Sequence, residues 1–352
     1  MHLRSPIKSS MYTASILGVI KAYIFDANNP YRDKAMSMLR RIVVEPVFGI
    51  SLAIAVIAFV TGAVNPNFWT VENWEAILRW IIALSVMAMG ESFVLISGGI
   101  DLSVGSIAAA SGMVLAYLIH CIGIPIPISI FLTLLFGLSI GLFHGAFVSI
   151  LSPPFPQIMP AFLITLVSKI FFGGFAQAIT LGWPIVLHQY RALALVSTTP
   201  ILVTILLITA ILSIYIQRFS ILGRYVYAVG GNIDVARISG VPINKVRLFV
   251  YGYSGVCAAL AGVINTSLMM TAYPGTGLGM ELFAIASNAV GGVSLAGGEG
   301  MALGAIIGSF LIGLIRNSLV LTGVSPYWIE SVTGIILAVA VVTDLYRRLR
   351  IR

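Results

Sequence analysis

The chain has 352 residues, 59% of them hydrophobic and only 9% charged, with a mean hydropathy of +1.03 and a formal net charge of +8. Soluble domains carry about 25% charged residues, so this composition excludes an ordinary soluble enzyme and predicts a polytopic membrane protein in contact with lipid. It also argues against a nucleic-acid partner, because the basic residues are gathered at the two ends and in one loop rather than spread over one face.

Residues 1–43 read as an N-terminal extension. Residues 1–41 hold Arg4, Lys8, Lys21, Arg32, Lys34, Arg40 and Arg41. The mildly apolar stretch 11–25 is too short to span a bilayer, and an interfacial helix and an irregular tail are equally compatible with it. No signal-peptide pattern is read there, because Lys21 breaks the apolar run and no small-residue cleavage site follows.

The transmembrane region, 44–346, divides by the rule that a span needs about 20 apolar residues. The first span is predicted near Pro46–Val64. A hairpin over about 79–118 follows, carrying Glu91 and Asp101. Further spans are predicted near 127–150, 160–181, 199–216, 248–270, 281–297, 301–322 and 328–346. The expected fold is thus all-α, with about ten transmembrane helices and two glycine-interrupted repeat segments. Ten spans put the N-terminal region, the loop 217–247 and the basic tail 347–352 on one side. Those three regions hold sixteen of the 20 Lys and Arg residues, so the side is expected to be the cytoplasm. Cys121 and Cys257 form no metal or redox motif and are expected to be small buried hydrophobes.

From Leu102 to Ser168 there is no charged residue. At the edge of that desert lies Ser97-Gly98-Gly99-Ile100-Asp101-Leu102-Ser103-Val104-Gly105. An acid beside a glycine pair there marks non-helical backbone sheltered by protein or by a water-filled cavity. Two readings of Asp101 stand together. It lines a permeation path, or it caps the following helix by accepting the N–H groups of Ser103 and Val104. Residues 98–105 align without gaps to Gly291–Gly298, with four of eight positions identical. Interrupted repeats of this kind flank substrate paths in transporters. The candidate path residues are therefore Ser97, Gly98, Gly99, Asp101, Ser103, Asn288 and Ser294. Glu91 is expected to find a backbone or interface partner. His144, in an apolar stretch, is expected to be hydrogen-bonded in the core.

Within 217–247, the run Gly230-Gly231-Asn232 precedes Ile233-Asp234-Val235-Ala236-Arg237-Ile238-Ser239-Gly240-Val241-Pro242. Asn232 is a good N-cap, Asp234 suits a helix start, Gly240 suits its end and Pro242 bars continuation. A two-turn helix is predicted, with Ile233, Ala236 and Ile238 offering a small apolar surface. So short a helix needs external support.

Four motifs in this order resemble one family: Gly98–Ser106, Pro160–Leu166, Tyr227–Gly240 and Gly291–Gly298. It is the membrane permease of ATP-binding-cassette importers for ribose, xylose and related sugars, including autoinducer-2. The resemblance covers about residue 45 to the C-terminus. It implies a cytoplasmic ATPase partner, an extracytoplasmic sugar-binding protein, and a second permease that is a copy or a paralogue. It also implies that the short helix, with Gly230, Gly231, Asn232, Asp234, Ala236, Arg237, Ser239 and Gly240, transmits ATPase motion. Val235, Ser220 and His144 depart from the residues usual in the family, and the segment Ser152–Pro156 looks longer.

No Gly-x-x-x-x-Gly-Lys-Ser/Thr motif is present, so ATP is expected to be used by the partner, with no cofactor or metal bound by this chain and no catalytic residue in it. The rival expectation is a proton-coupled secondary transporter using Glu91 and Asp101 as relay acids.

Overall fold

The computed structural model describes residues 46–151, 158–325, 327–335 and 338. The expectations for 1–43, 152–156 and 347–352 fall outside these residues. The chain divides into the units Met1–Leu52 and Ala53–Arg352, and the described part of the first is the opening of helix α1 (Pro46–Val64).

A 3₁₀ turn, Pro66–Trp69, leads into α2 (Val71–Ile96). Then come α3 (Val104–Tyr117), prolonged by a π turn to Ile122, α4 (Ile126–Leu151) and α5 (Ile158–Ala178). After the short α6 (Arg191–Ala194) come α7 (Thr199–Phe219), α8 (Ile221–Gly231), α9 (Ile233–Ile238) and α10 (Ile243–Met269). The hairpin α11 (Met280–Val290) and α12 (Ala302–Leu321) follows, and residues 327–335 and 338 are helical. Two two-residue strands, β1 (Ile185–Val186) and β2 (Thr271–Ala272), pair antiparallel, with Ile185 opposite Ala272.

Seven described helices are long and apolar enough to cross a bilayer, and two shorter apolar helices, Ile50–Val64 and Met280–Val290, accompany them. The all-α polytopic expectation holds. The segment expected near 281–297 differs in extent: α11 has 11 residues, which rise about 16 Å, half of a hydrocarbon core of about 30 Å. Its remainder is glycine-rich loop.

Two helices form the centre. In α2 the side chains from Ile81 to Ile96 are all buried, although the helix includes Glu91, Ser85 and Ser92. Helix α10 packs along α4, α2 and α3. Its contact with α4 is backbone on backbone, through Gly137, Gly141 and Gly145. A Cβ at any of the three would run into backbone atoms of α10, at Gly255, Tyr251 and Arg247 in turn. Small residues at four-residue spacing allow that approach, which supplies dispersion contact where lipid gives no hydrophobic drive. The outer faces of α4, α5 and α7 expose Phe131, Phe171 and Ile211, the apolar surface that lipid requires.

Both interruptions end their first helix in the same way. At the end of α2, Gly98 N–H bonds the Leu95 carbonyl (2.9 Å), Gly99 N–H bonds the Val94 carbonyl (3.0 Å), and Gly98 has φ +80°. At the end of α11, Gly292 N–H bonds the Ala289 carbonyl (3.2 Å), Val293 N–H bonds the Asn288 carbonyl (2.8 Å), and Gly292 has φ +90°. Each is a left-handed glycine cap. The repeat therefore matches Gly98 to Gly292, one residue off the ungapped alignment. Letter identity follows the glycine pairs, whereas the geometry aligns Ser97 with Gly291. The second break is also longer, running to the N-cap Met301 where the first ends at Ser103.

Candidate functional site

Asp101 lies in the first break and is fully buried. Its Oδ1 accepts the Ser103 amide (2.9 Å) and the Ser103 hydroxyl (2.5 Å), while its Oδ2 accepts the Ser254 hydroxyl from α10 (3.3 Å). The carboxylate caps the turn through Ser103. Val104, expected as a second donor, makes no such bond; the formal N-cap of α3 is Ser103, whose side chain caps nothing. The Asp101 amide in turn donates to Glu91 Oε1 (3.1 Å), so the two acids are linked through backbone. Tyr251 packs beside the break: a Cβ at Gly99 would come within 2.6 Å of its hydroxyl. His144 stands nearby, its ring 6.4 Å from that of Tyr251 and its Nε2 2.6 Å from the Ser168 hydroxyl, a hydrogen-bonded core histidine as the apolar surroundings imply. Ser97 is buried and its hydroxyl donates to the Val94 carbonyl (2.8 Å).

The second break brings Asn288 and Ser294. Asn288 Nδ2 donates to the Ala88 carbonyl on α2 (2.8 Å) and to the Ala284 carbonyl (2.9 Å), pinning α11 one helical turn from Glu91. Ser294 keeps to its own loop, its amide donating to the Glu299 carbonyl (3.0 Å) and its hydroxyl oxygen accepting the Ala296 amide (3.2 Å).

Helix α9 forms as its punctuation predicts. Asn232 Oδ1 accepts the amides of Asp234 and Val235, both at 3.0 Å. Gly240 has φ +80°, and the Val241 amide reaches back to the Ala236 carbonyl (3.0 Å). Asp234 and Arg237 form an exposed pair at 3.3 Å, and the Ser239 amide closes the last turn on the Val235 carbonyl (3.0 Å). The apolar face differs from the expected one. Ala236 is buried and Ile233 packs against the same core, so both are used internally. Ile238 is 85% exposed and Val235 is 53% exposed, and these two form the outward surface.

Residues 221–231, expected to be part of the loop 217–247, form α8. Ser220 caps it by accepting the Gly223 amide (2.9 Å), and Val226 and Val229 bury its inner face. This helix ties α9 to both breaks. The Tyr227 hydroxyl donates to the Gly300 carbonyl (2.7 Å). Burial pushes the Tyr227 phenol above its ordinary value, against the opposing pull of the Arg218 cation, which keeps it a donor. Gly230 sits against the Ile96 carbonyl and the Gly298 amide with no room for a side chain, while nothing lies near the Cβ position of Gly231. Near the end of α7, Gln217 Oε1 accepts the Ala302 amide (2.9 Å) and so caps α12.

An ion pair escaped the sequence reading. Lys169 Nζ on α5 lies 2.6 Å from Glu281 Oε1 at the start of α11, and the Glu281 side chain is fully buried. Its other oxygen accepts the Gly279 amide (2.9 Å). Lys169 ends the charge desert and Glu281 is an isolated acid in apolar sequence, so each carried a signal, but their pairing did not. Among the described residues no group of three His, Cys, Asp or Glu side chains gathers as a metal site.

Residues 73–341 match the family model described as the branched-chain amino acid transport system/permease component. The chain belongs to this permease family. It is similar to the ribose import permease protein of Haemophilus influenzae, 35% identical over 84% of this chain and 92% of the relative. It is 29% identical to the xylose transport system permease protein of the same organism, over 85% of this chain and 96% of that one. A probable ABC transporter permease protein of Sinorhizobium fredii is 31% identical, over 85% and 89% respectively. No solved structure matches the chain. As a permease component this chain is a multi-pass membrane protein whose task is transport rather than catalysis. At the first break, Asp101 and Glu91 are engaged in holding backbone amides.

Proposed function

We propose that the chain is the membrane permease of an ATP-binding-cassette importer that brings a sugar or sugar-like solute of the ribose, xylose or autoinducer-2 class into the cytoplasm. The observation that carries this reading is α9: a helix capped at both ends, seated on the bundle by Ile233 and Ala236, and presenting Val235 and Ile238 outward. A helix of six residues is marginal alone, and an outward apolar pair on an otherwise polar turn suits a soluble partner. In this reading that partner is a separate ATPase, which supplies the energy by biasing two conformations of the permease. An extracytoplasmic binding protein delivers the solute, and a second permease, a copy or a paralogue, completes the assembly. The coupling residues are Gly230 to Asn232, Asp234, Ala236, Arg237, Ser239 and Gly240; the breaks with Ser97, Gly98, Gly99, Asp101, Ser103, Asn288 and Ser294 border the route. Both termini and α9 face the cytoplasm.

Reconstitution tests it. Uptake of labelled ribose or xylose into vesicles should require ATP and the ATPase and should survive an uncoupler; uptake by the chain alone that collapses with an uncoupler would instead establish proton coupling. Cys121 is exposed rather than buried as expected, while Cys257 is buried, so in a Cys121→Ser background a Ser239→Cys variant should react with a membrane-impermeant maleimide only from the cytoplasmic side. Labelling from outside would reverse the topology and remove the coupling role.

A further inference from the structure

At the Val71 end of α2 a cavity of about 680 Å³ opens between the first turns of α2, the end of α10, the start of α11 and the end of α12. Small-molecule sites run from about 300 to 1,000 Å³. Its polar lining includes Glu72, Glu75, Arg79, Trp80, Asn265 and Arg316. In a chain with 9% charged residues, four charges in one cavity need an account. Helix α12 has Arg316 as its sole charged residue, and that guanidinium lies 5.2 Å from the centre of the Trp80 ring. Trp80 and Arg316 also line an adjoining cavity of about 150 Å³, so they form the wall between the two.

The chemistry of the lining selects a ligand class. Two carboxylates and two guanidinium groups cancel in formal charge, which favours neither an anion nor a cation. Together they supply acceptors for hydroxyl hydrogens and donors for hydroxyl oxygens. Arg79 bonds Glu75 at 2.9 Å, yet its Nε is enclosed with no hydrogen-bond partner among the described residues. The Asn265 amide meets the thioether of Met280 at 3.6 Å, a weak acceptor that a hydroxyl oxygen readily replaces. An indole face adds a surface for the C–H side of a sugar ring.

We propose that this cavity is a binding station for a neutral, polyhydroxylated solute of monosaccharide size, with Trp80 as its stacking surface and Asn265 and Arg316 as its hydrogen-bond donors. It deepens the importer reading and rests on it. The station lies at the opposite end of α2 from the glycine contacts at Ile96, a 26-residue helix away.

The test uses the assembled importer in vesicles, with labelled D-ribose, D-xylose and D-allose as probes. Native protein is compared with Trp80→Ala, Trp80→Phe and Asn265→Leu, each checked for co-purification with the ATPase and for affinity toward the loaded binding protein. Trp80→Ala and Asn265→Leu should each lower uptake about tenfold, the scale of one lost contact, with docking of the binding protein unchanged and Trp80→Phe keeping most of the activity. Asn265→Leu and Trp80→Phe carry the test if Trp80→Ala fails to assemble. Native uptake with unaltered uptake in the variants overturns the station alone. Loss of uptake together with loss of docking overturns it as well and makes the cavity a partner's contact surface. Absence of native uptake for all three sugars removes the importer reading's solute class and the station with it.

Discussion

The carbonyl oxygen of Ile96 accepts the amide hydrogen of Gly298 at 2.8 Å, and this single bond joins the two interrupted segments. Gly230 lies against both partners, and Gly98 lies against Gly297. Three stretches distant in sequence thus meet through glycines, at the joint between the bundle and α8. In the transport reading, motion of α9 reaches both breaks here.

The joint distinguishes two adjacent glycines. Gly230→Ala would drive a Cβ into the Ile96 carbonyl and part the Ile96–Gly298 bond. Overpacking of this kind costs about 1–3 kcal/mol, so a lower melting temperature and little or no uptake are expected. Gly231→Ala meets open space and should stay within about 0.5 kcal/mol of the native protein. Thermal melts and uptake of the two variants side by side check it; equal behaviour refutes the joint.

The cap of α9 should be separable from the bundle. Asn232→Ala removes the acceptor of two amides and should cost the local helix about 0.5–2 kcal/mol. Hydrogen exchange is then expected to quicken over 233–239, with global melting almost unmoved and less uptake per ATP hydrolysed. Asn232→Asp should retain most of the native behaviour. Unchanged exchange in the alanine variant would show that tertiary contacts alone hold the helix.

Outward and inward faces of α9 predict opposite failures. Ile238→Glu changes a side chain that is 85% exposed, so the purified permease should melt normally while losing the ATPase in co-purification. Ala236→Leu inserts bulk into a buried position and should lower the melting temperature itself. A normal ATPase complex with Ile238→Glu would move the contact surface elsewhere.

The Lys169–Glu281 pair predicts an asymmetry. Lys169→Met leaves a fully buried carboxylate without its cation. Breaking such a pair costs about 3–5 kcal/mol, and the low end is expected because Lys169 is 35% exposed. The double variant Lys169→Met with Glu281→Met should recover part of that loss in thermal melts. Equal destabilisation by the single and double variants would show that the pair is not coupled.

What could be read from the sequence was what local chemistry determines. Apolar length gave α1, α4, α7 and α12 nearly to the residue, and the Asn232 and Gly240 caps placed α9. Failures came where partners lie far apart in the chain. Helix α8, between glycines and with aromatic residues mid-way, looked like loop because its stability comes from burying Val226 and Val229. The repeat was detected but misaligned by one residue, since matching glycine letters does not reveal which glycine takes positive φ. The inward use of Ile233 and Ala236, the Lys169–Glu281 pair and the cavity around Trp80 each need the packing of separate helices. One further signal is legible in the sequence: Gly137, Gly141 and Gly145, at four-residue spacing, mark a face of α4 made for close contact.

That face has a mechanical consequence. Where α4 lies on α10 the two main chains touch with no layer of side chains between them, so neither can slide along the other without backbone striking backbone. The pair behaves as a keel. In the transport reading, the rearrangement admitting and releasing cargo belongs to the other flank, where α11 is half a span long and ends on glycines.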